Sequence, residues 1–264
     1  STPSKNGRVI LTSTTSTRIS MRKPVNTSNS FKHDPAQANT SMHTITYTGN
    51  TIHDFSSQIG DGIHADGFWH YFGVPSSDNT QYADGMTFCN NRAYGDFRNV
   101  FDAGPSNTAF FFSEGSLSVT ICNNDLSFTP VVASMFDSLI VLEGDGNTHT
   151  ETIRILNNSL ANIGTNAMSA AIHTTAGIST LDIRNNIVYG MQYPIYFEDT
   201  GFSSLTTNYN VMDGTADQLI YGASFQSYAT WQAAGRDVNS VLGSDPLWVS
   251  APGNEHLSSG SPAM

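Results

Sequence analysis

Residues 153–160 read IRILNNSL: two apolar side chains in alternation, Ile153 and Ile155, then the pair Asn157-Asn158, then Leu160 two places beyond. Alternation is the period of a strand, so Ile153 and Ile155 share one face. An Asn pair directly after it marks a sharp corner, because Asn tolerates left-handed backbone. The phrase recurs as ITYTGNTI (45–52), MTFCNNRA (86–93), VTICNNDL (119–126), LDIRNNIV (181–188) and LTTNYNVM (205–212). The final Asn residues are Asn50, Asn91, Asn124, Asn158, Asn186 and Asn210, so the spacing drifts from 41 through 33, 34 and 28 to 24. Fixed strands joined by turns of varying length describe a solenoid of coils, whereas propellers and helical arrays hold their period nearly constant. Stacking the coils buries the apolar face, and in equal register each Asn amide can hydrogen-bond to the coils on either side.

Between the Asn motifs lies a second strand family: GIHADG (62–67), FFFSEG (110–115), IVLEGDG (140–146), AIHTTAG (171–177), PIYFEDTG (194–201) and LIYGAS (219–224). Each ends near Gly or another small residue, as a strand leading into a turn does. Residues 1–40 are less regular, with GRVILTS and TRISMRK as expected strands of an entry coil, and they read as a capping segment over the open end. The chain thus divides into an entry and capping segment (1–40), coils with an Asn ladder (41–224) and a closing segment (225–264).

The φ-x-φ-x-Asn-Asn pattern with a Gly-Ile-like strand between copies resembles the right-handed β-helix repeat of the pectate-lyase superfamily, over roughly residues 41–224. Trp231 followed by GRDVNSVLGSDPLWVSAPGNEHLSSGSPA resembles the closing segment of such proteins, with Asp245-Pro246 and Ser261-Pro262-Ala263 in place. The fold expected is all-β: a single-stranded right-handed parallel β-helix of about six to eight coils. The resemblance implies a secreted or cell-surface protein, with polysaccharide lying along the sheet formed by the second strand family. Proteins of this kind usually run on after Ser-Pro-Ala, and this chain opens on Ser1 and stops at Met264, so it reads as a trimmed product or part of a larger chain or fibre.

Composition narrows the partners. The 264 residues carry a net charge of −11 with three lysines, which leaves no basic stripe for a phosphate backbone and argues against nucleic acid. Acidic polysaccharides would be repelled unless a cation or a local Arg intervened. No apolar run has the length of a membrane span. The triplets at Asn26, Asn39 and Asn157 are acceptors for N-glycosylation in a eukaryotic secretory path.

Aligning the second strand family with Ile63, Ile140, Ile172 and Ile195 inward gives two outward columns. The first holds His64, Phe112, Val141, His173 and Tyr196; the second holds Asp66, Glu114, Glu143, Thr175 and Glu198. Adjacent coils stand about 4.8 Å apart, so neighbours in a column are at contact distance. Asp66, Glu114 and Glu143 would either hold Ca²⁺ between them or divide acid and base roles across a glycosidic bond, with His64 assisting. The plain alternative is that Asp-Gly and Glu-Gly close each strand at a solvated turn. Substrate contacts are expected at Asp61, Trp69, His70, Arg98, His173, Tyr196 and Glu198. The cluster GDGIHADGFWHYFG concentrates His, Asp and aromatics beyond what a turn requires. A zinc site is disfavoured there, since the His64/His70 spacing is not helical and no Cys supports it.

Lyases of the resembled superfamily often use Arg or Lys as base with Ca²⁺, and Arg98 is the residue placed for a sugar carboxylate, although an Asp96-Arg98-Asp102 ion network is the simpler role. Arg154 and Asp182 share an outward register, which suggests a cross-strand salt bridge. Cys89 and Cys122 precede the Asn pair in successive coils, close enough for a disulfide, with stacked free thiols equally open. The reading is a polysaccharide-cleaving lyase or hydrolase; the alternative is a glycan-binding adhesin or fibre without catalysis, because the catalytic signature of the lyases is absent, or a structural extracellular protein in which the acidic charge maintains solubility.

Overall fold

The computed structural model describes residues 10–13, 32–33, 45–53, 68–70, 85–97, 108–114, 118–130, 137–144, 151–164, 169–175, 177–214, 216, 218–222, 224–250, 254–257 and 259–263. They form an all-β structure of mostly parallel strands in stacked sheets, with one short helix among them.

The first sheet contains the strands that lead into each Asn corner: Ile45–Thr48, Met86–Cys89, Ser118–Cys122, Thr152–Leu156, Thr180–Arg184 and Ser204–Asn208. Each pairs in parallel with its counterpart in the next repeat, and the alternation predicted for it is realised: Phe88, Ile121, Ile155 and Ile183 are fully buried in one core. The third sheet contains Thr108–Glu114, Asp137–Glu143, Ala170–Thr174, Tyr193–Phe197 and Gln218–Tyr221, which are the expected second strand family.

Between them the structure adds a sheet that the two-family reading did not separate. The residues directly after each Asn pair form their own parallel strands, Arg92–Phe97, Asp125–Pro130, Ser159–Asn162, Ile187–Met191 and Val211–Gly214. The apolar residue two places beyond each second Asn is its inward anchor: Ala93, Leu126, Leu160, Val188 and Met212 are all 0 % exposed. From Ile45–Thr48 to Gln218–Tyr221 the chain visits the three sheets in constant order and each strand pairs in parallel with a strand three elements away, an order compatible with a β-helix.

The two residues of each Asn pair divide the work of the corner. The first takes the left-handed conformation, with φ of 59°, 52°, 57° and 57° at Asn90, Asn123, Asn157 and Asn185. Gly49 and Tyr209 fill that place in the outer repeats. The second is buried and forms the ladder: side-chain Nδ2 donates to the next Oδ1 from Asn50 to Asn91 (2.8 Å), Asn91 to Asn124 (3.0 Å), Asn124 to Asn158 (2.9 Å), Asn158 to Asn186 (2.9 Å) and Asn186 to Asn210 (3.2 Å). Each Oδ1 also accepts the backbone N–H of the preceding Asn, and the remaining Nδ2 hydrogen goes back to a first-sheet carbonyl, as from Asn158 to Ile121 at 3.0 Å. Every hydrogen-bonding site of the buried amide is therefore occupied, which makes a polar column tolerable inside an apolar core.

Two ends of the ladder differ. Ile10–Ser13 pairs antiparallel with Asn50–His53, while TRISMRK lies outside the described residues. At the other end the helix Tyr228–Ala233 buries Trp231 completely, and Asp237, also 0 % exposed, receives the last amide of the ladder from Asn210 at 2.8 Å.

Cys89 and Cys122, paired across the first sheet with Cα atoms 4.5 Å apart, form a disulfide. Arg154 and Asp182 do stand opposite each other, but the salt bridge expected between them is not made. Asp182 binds Arg184 two residues along its own strand, through two oxygens to the guanidinium at 2.6 and 2.5 Å. The bidentate fork is available within the strand because residues two apart share a face.

Candidate functional site

The third sheet carries both outward columns of side chains. Pairing Ile140 with Ile172 and Ile172 with Ile195 fixes its register, and Val141, His173 and Tyr196 follow in one column as expected. In the second column Glu143 stands opposite Glu114. The backbone N–H groups of Thr175 and Glu198 bond to the carbonyls of Leu142 and Thr174, which continues the register one step beyond the strands and sets Thr175 between Glu143 and Glu198. Glu143 and Glu198 are thus two strand steps apart, about 9–10 Å between backbones.

One place in the first column changes hands. The strand paired with Thr108–Glu114 is Phe68–His70, not the GIHADG segment, so Trp69 stands opposite Phe112 where His64 was expected, and His70 stands opposite Ser113. The aromatic run FWH has the stronger strand preference, while GIHADG has Gly at both ends and Asp before its last Gly. Asp61, His64, Asp66 and Arg98 lie outside the described residues, as does Asp102 of the ion network proposed around Arg98; of Trp69, His70 and Glu114 the strand register alone is described.

The outward side of the sheet is not an open groove along its whole length. Leu139, Val141 and Ala171 are 0 % exposed and His173 is 3 % exposed, so the face is covered at its centre. It opens toward Tyr196 and Glu198, whose side chain is 43 % exposed.

At that boundary His173, Tyr196 and Glu198 meet, with Glu143 within electrostatic reach of Glu198. His173 Nε2–H donates to Glu198 Oε1 at 2.8 Å, and the His173 ring stacks on Tyr196 with centroids 4.5 Å apart and planes 11° from parallel. Burial lowers the His173 pKa below its usual value, partly offset by the hydrogen bond and the charge of Glu198, so the ring is held neutral. The Glu143 carboxyl is raised above the usual range by burial first and by the charge of Glu198 second. The Tyr196 hydroxyl is also pushed up, by burial and then by Glu198. The contact between His173 and Glu198 is diagonal, from one column on one strand to the other column on the next. Each residue was visible in the sequence, but not their pairing, which requires the register.

The arrangement provides a carboxyl raised above the usual range, a second acidic side chain hydrogen-bonded to a buried imidazole, and one flat aromatic face. Among the described residues no group of three or more His, Cys, Asp or Glu side chains is placed to hold a metal ion. None of the described helices is long and apolar enough to cross a membrane. Comparison of the chain with protein-family models, with curated proteins and with solved structures finds no match.

Proposed function

We propose that this chain is a right-handed parallel β-helix of the pectate-lyase-like kind, acting outside the cell on a polysaccharide, and that it cleaves a glycosidic bond by hydrolysis beside Glu143 and Glu198. The observation that carries the reading is the pair of carboxyls on either side of Thr175, one with a raised pKa and the other hydrogen-bonded to buried His173. Glu143, its carboxyl raised by burial, donates the proton to the leaving oxygen; Glu198 accepts a proton from water, with His173 as its positioning residue. A separation of two strand steps leaves room for that water, as in inverting glycosidases. Tyr196 offers a ring face to a sugar. The disulfide supports a secreted setting, since such bonds persist in oxidising compartments.

A neutral sugar suits the site better than a uronate. The strands Thr108–Glu114, Asp137–Glu143, Ala170–Thr174 and Tyr193–Phe197 contain no Lys or Arg to pair a sugar carboxylate, and the whole chain is strongly acidic. Ca²⁺ is the competing occupant at Glu143 and its register partner Glu114; a bound cation would hold Glu143 ionised and abolish its proton donation. The covered centre of the sheet favours a second reading, a fibre or adhesin that holds glycan without cutting it, because His173 cannot touch substrate there.

The test is release of reducing ends from neutral and acidic polysaccharides, with and without Ca²⁺, alongside the ultraviolet absorbance of an unsaturated product. Hydrolysis gives reducing ends without absorbance, and Glu143→Gln and Glu198→Gln each lower kcat by about 100-fold or more. Absorbance with Ca²⁺ dependence would replace hydrolysis by elimination. No cleavage of any substrate, with retention on an insoluble polysaccharide, would leave the binding reading.

A further inference from the structure

The outward column of the third sheet does not end at Tyr196. Tyr196 pairs with Ile220 on Gln218–Tyr221, and that strand turns back on itself through Gly222 (φ 63°) into Ser224–Ser227, which runs antiparallel to it with Phe225 opposite Ile220. Directly opposed residues of an antiparallel pair project to the same side. Phe225 therefore continues the face of Tyr196, two strand steps or about 9–10 Å further on. It is 63 % exposed, and its ring lies 5.8 Å from that of Tyr193, tilted by 39°. The Tyr193 hydroxyl accepts a hydrogen bond from Gln192 Nε2 at 3.2 Å, which fixes that ring in place.

We propose that Phe225 and Tyr193 form a stacking subsite for a neutral sugar ring, continuous with the face of Tyr196 and lying beyond the Glu143/Glu198 pair. The inference rests on the carbohydrate reading given above and names where the chain is held. Two aromatic faces at an angle, one of them open to solvent, suit the apolar C–H face of a pyranose, and Gln218 and Ser227, which oppose each other on the same face as Phe225, supply neutral hydrogen-bonding groups. Residues 218–227, QLIYGASFQS, contain no charged side chain, so the ligand this surface selects is an uncharged one. The distance from Tyr196 means that an oligomer has to be long enough to reach both ring faces to gain from both.

The experiment compares wild type, Phe225→Ala, Tyr193→Ala and Phe225→Trp on a long neutral polysaccharide and on its short oligosaccharides, with circular dichroism confirming the fold of each. Phe225→Ala and Tyr193→Ala raise KM, or Kd if nothing is cut, by about 3- to 10-fold on the polymer. The kcat stays within about twofold, because the subsite is remote from the reacting bond. Phe225→Trp restores binding, and oligosaccharides too short to span the two positions show no difference between variants. A wild type that cuts or binds polysaccharide, with both alanine variants unchanged, overturns the subsite and leaves the functional reading intact. A wild type that neither cuts nor binds any polysaccharide overturns the functional reading and the subsite with it.

Discussion

Asn210 donates its side-chain amide to the buried carboxylate of Asp237 at 2.8 Å, and this bond joins the repeating Asn ladder to the closing segment. Asp237 also accepts from Trp231 Nε1 at 2.8 Å and from the Ser240 hydroxyl, while Ser240 Oγ takes the backbone N–H of Asn210. The carboxylate thus does for the last rung what the next Asn does for every other, and holds the buried Trp231 over the end of the core. Asp237→Ala would strand the buried donors of Asn210 and Trp231 and remove the partner of the partly buried Ser240 hydroxyl. At about 1–3 kcal/mol for each unpaired buried group, the variant loses about 3–5 kcal/mol of unfolding free energy in denaturant titration.

The corner residues predict a sharp contrast between neighbours. Asn158→Ala leaves the backbone and side-chain donors of Asn124 without their acceptor in the core, a loss of about 2–5 kcal/mol. Asn157, one residue earlier, is exposed and sits at φ 57°. Glycine adopts that conformation freely, so Asn157→Gly changes stability by about 0.5 kcal/mol or less, whereas Asn157→Val costs about 1–2 kcal/mol through its β-branched clash. Equal effects of Asn157→Gly and Asn158→Ala would contradict the division of roles within the pair.

How much of this was legible follows from what each feature depends on. The first sheet, the ladder and its spacing were readable because strand alternation and corner chemistry are local, as in IRILNNSL. The strands after each Asn pair were not separated, since their single inward anchor, such as Leu126 or Leu160, carries too little periodicity to announce a strand of its own. That Trp69 rather than His64 stands opposite Phe112 depends on which segment pairs with Thr108–Glu114, which composition does not fix. Asp237 as the end of the ladder, the His173–Glu198 diagonal and the antiparallel return that aligns Phe225 with Tyr196 are long-range outcomes. Their contacts are set by pairing between segments far apart in the chain, which no local pattern announces.

The Cys89–Cys122 bridge closes a loop of 33 residues between adjacent first-sheet strands. Chain-entropy arithmetic for that separation gives about 3–4 kcal/mol of stabilisation relative to the reduced unfolded chain. The double variant Cys89→Ser/Cys122→Ser accordingly unfolds at lower denaturant with that difference. Wild-type protein alkylated under native conditions without reductant stays unlabelled, because both thiols are tied up in the bridge, and reductant reaches it from the partly exposed Cys122 side, Cys89 being 5 % exposed. Rapid labelling of both thiols in the untreated protein would show that the bridge is not formed.

His173 and Glu143 give stability opposite dependences on pH. Burial lowers the His173 pKa, so below about pH 6.5 the unfolded chain takes up a proton that the folded ring refuses, and stability falls as pH drops from there to the depressed folded value. Glu143 has a raised pKa, so its folded carboxyl keeps a proton that the unfolded one releases above about pH 4.5, and stability falls as pH rises from there to the raised folded value. Above both windows the Glu143 penalty is fully present and that of His173 is absent. Glu143→Gln therefore stabilises the fold at pH 7 relative to wild type, with the gain shrinking toward pH 4, while His173→Gln removes the loss on acidification below pH 6.5. Thermal unfolding across this range checks both; a Glu143→Gln gain that grew toward acid would mean that Glu143 is held ionised, as a bound cation would hold it.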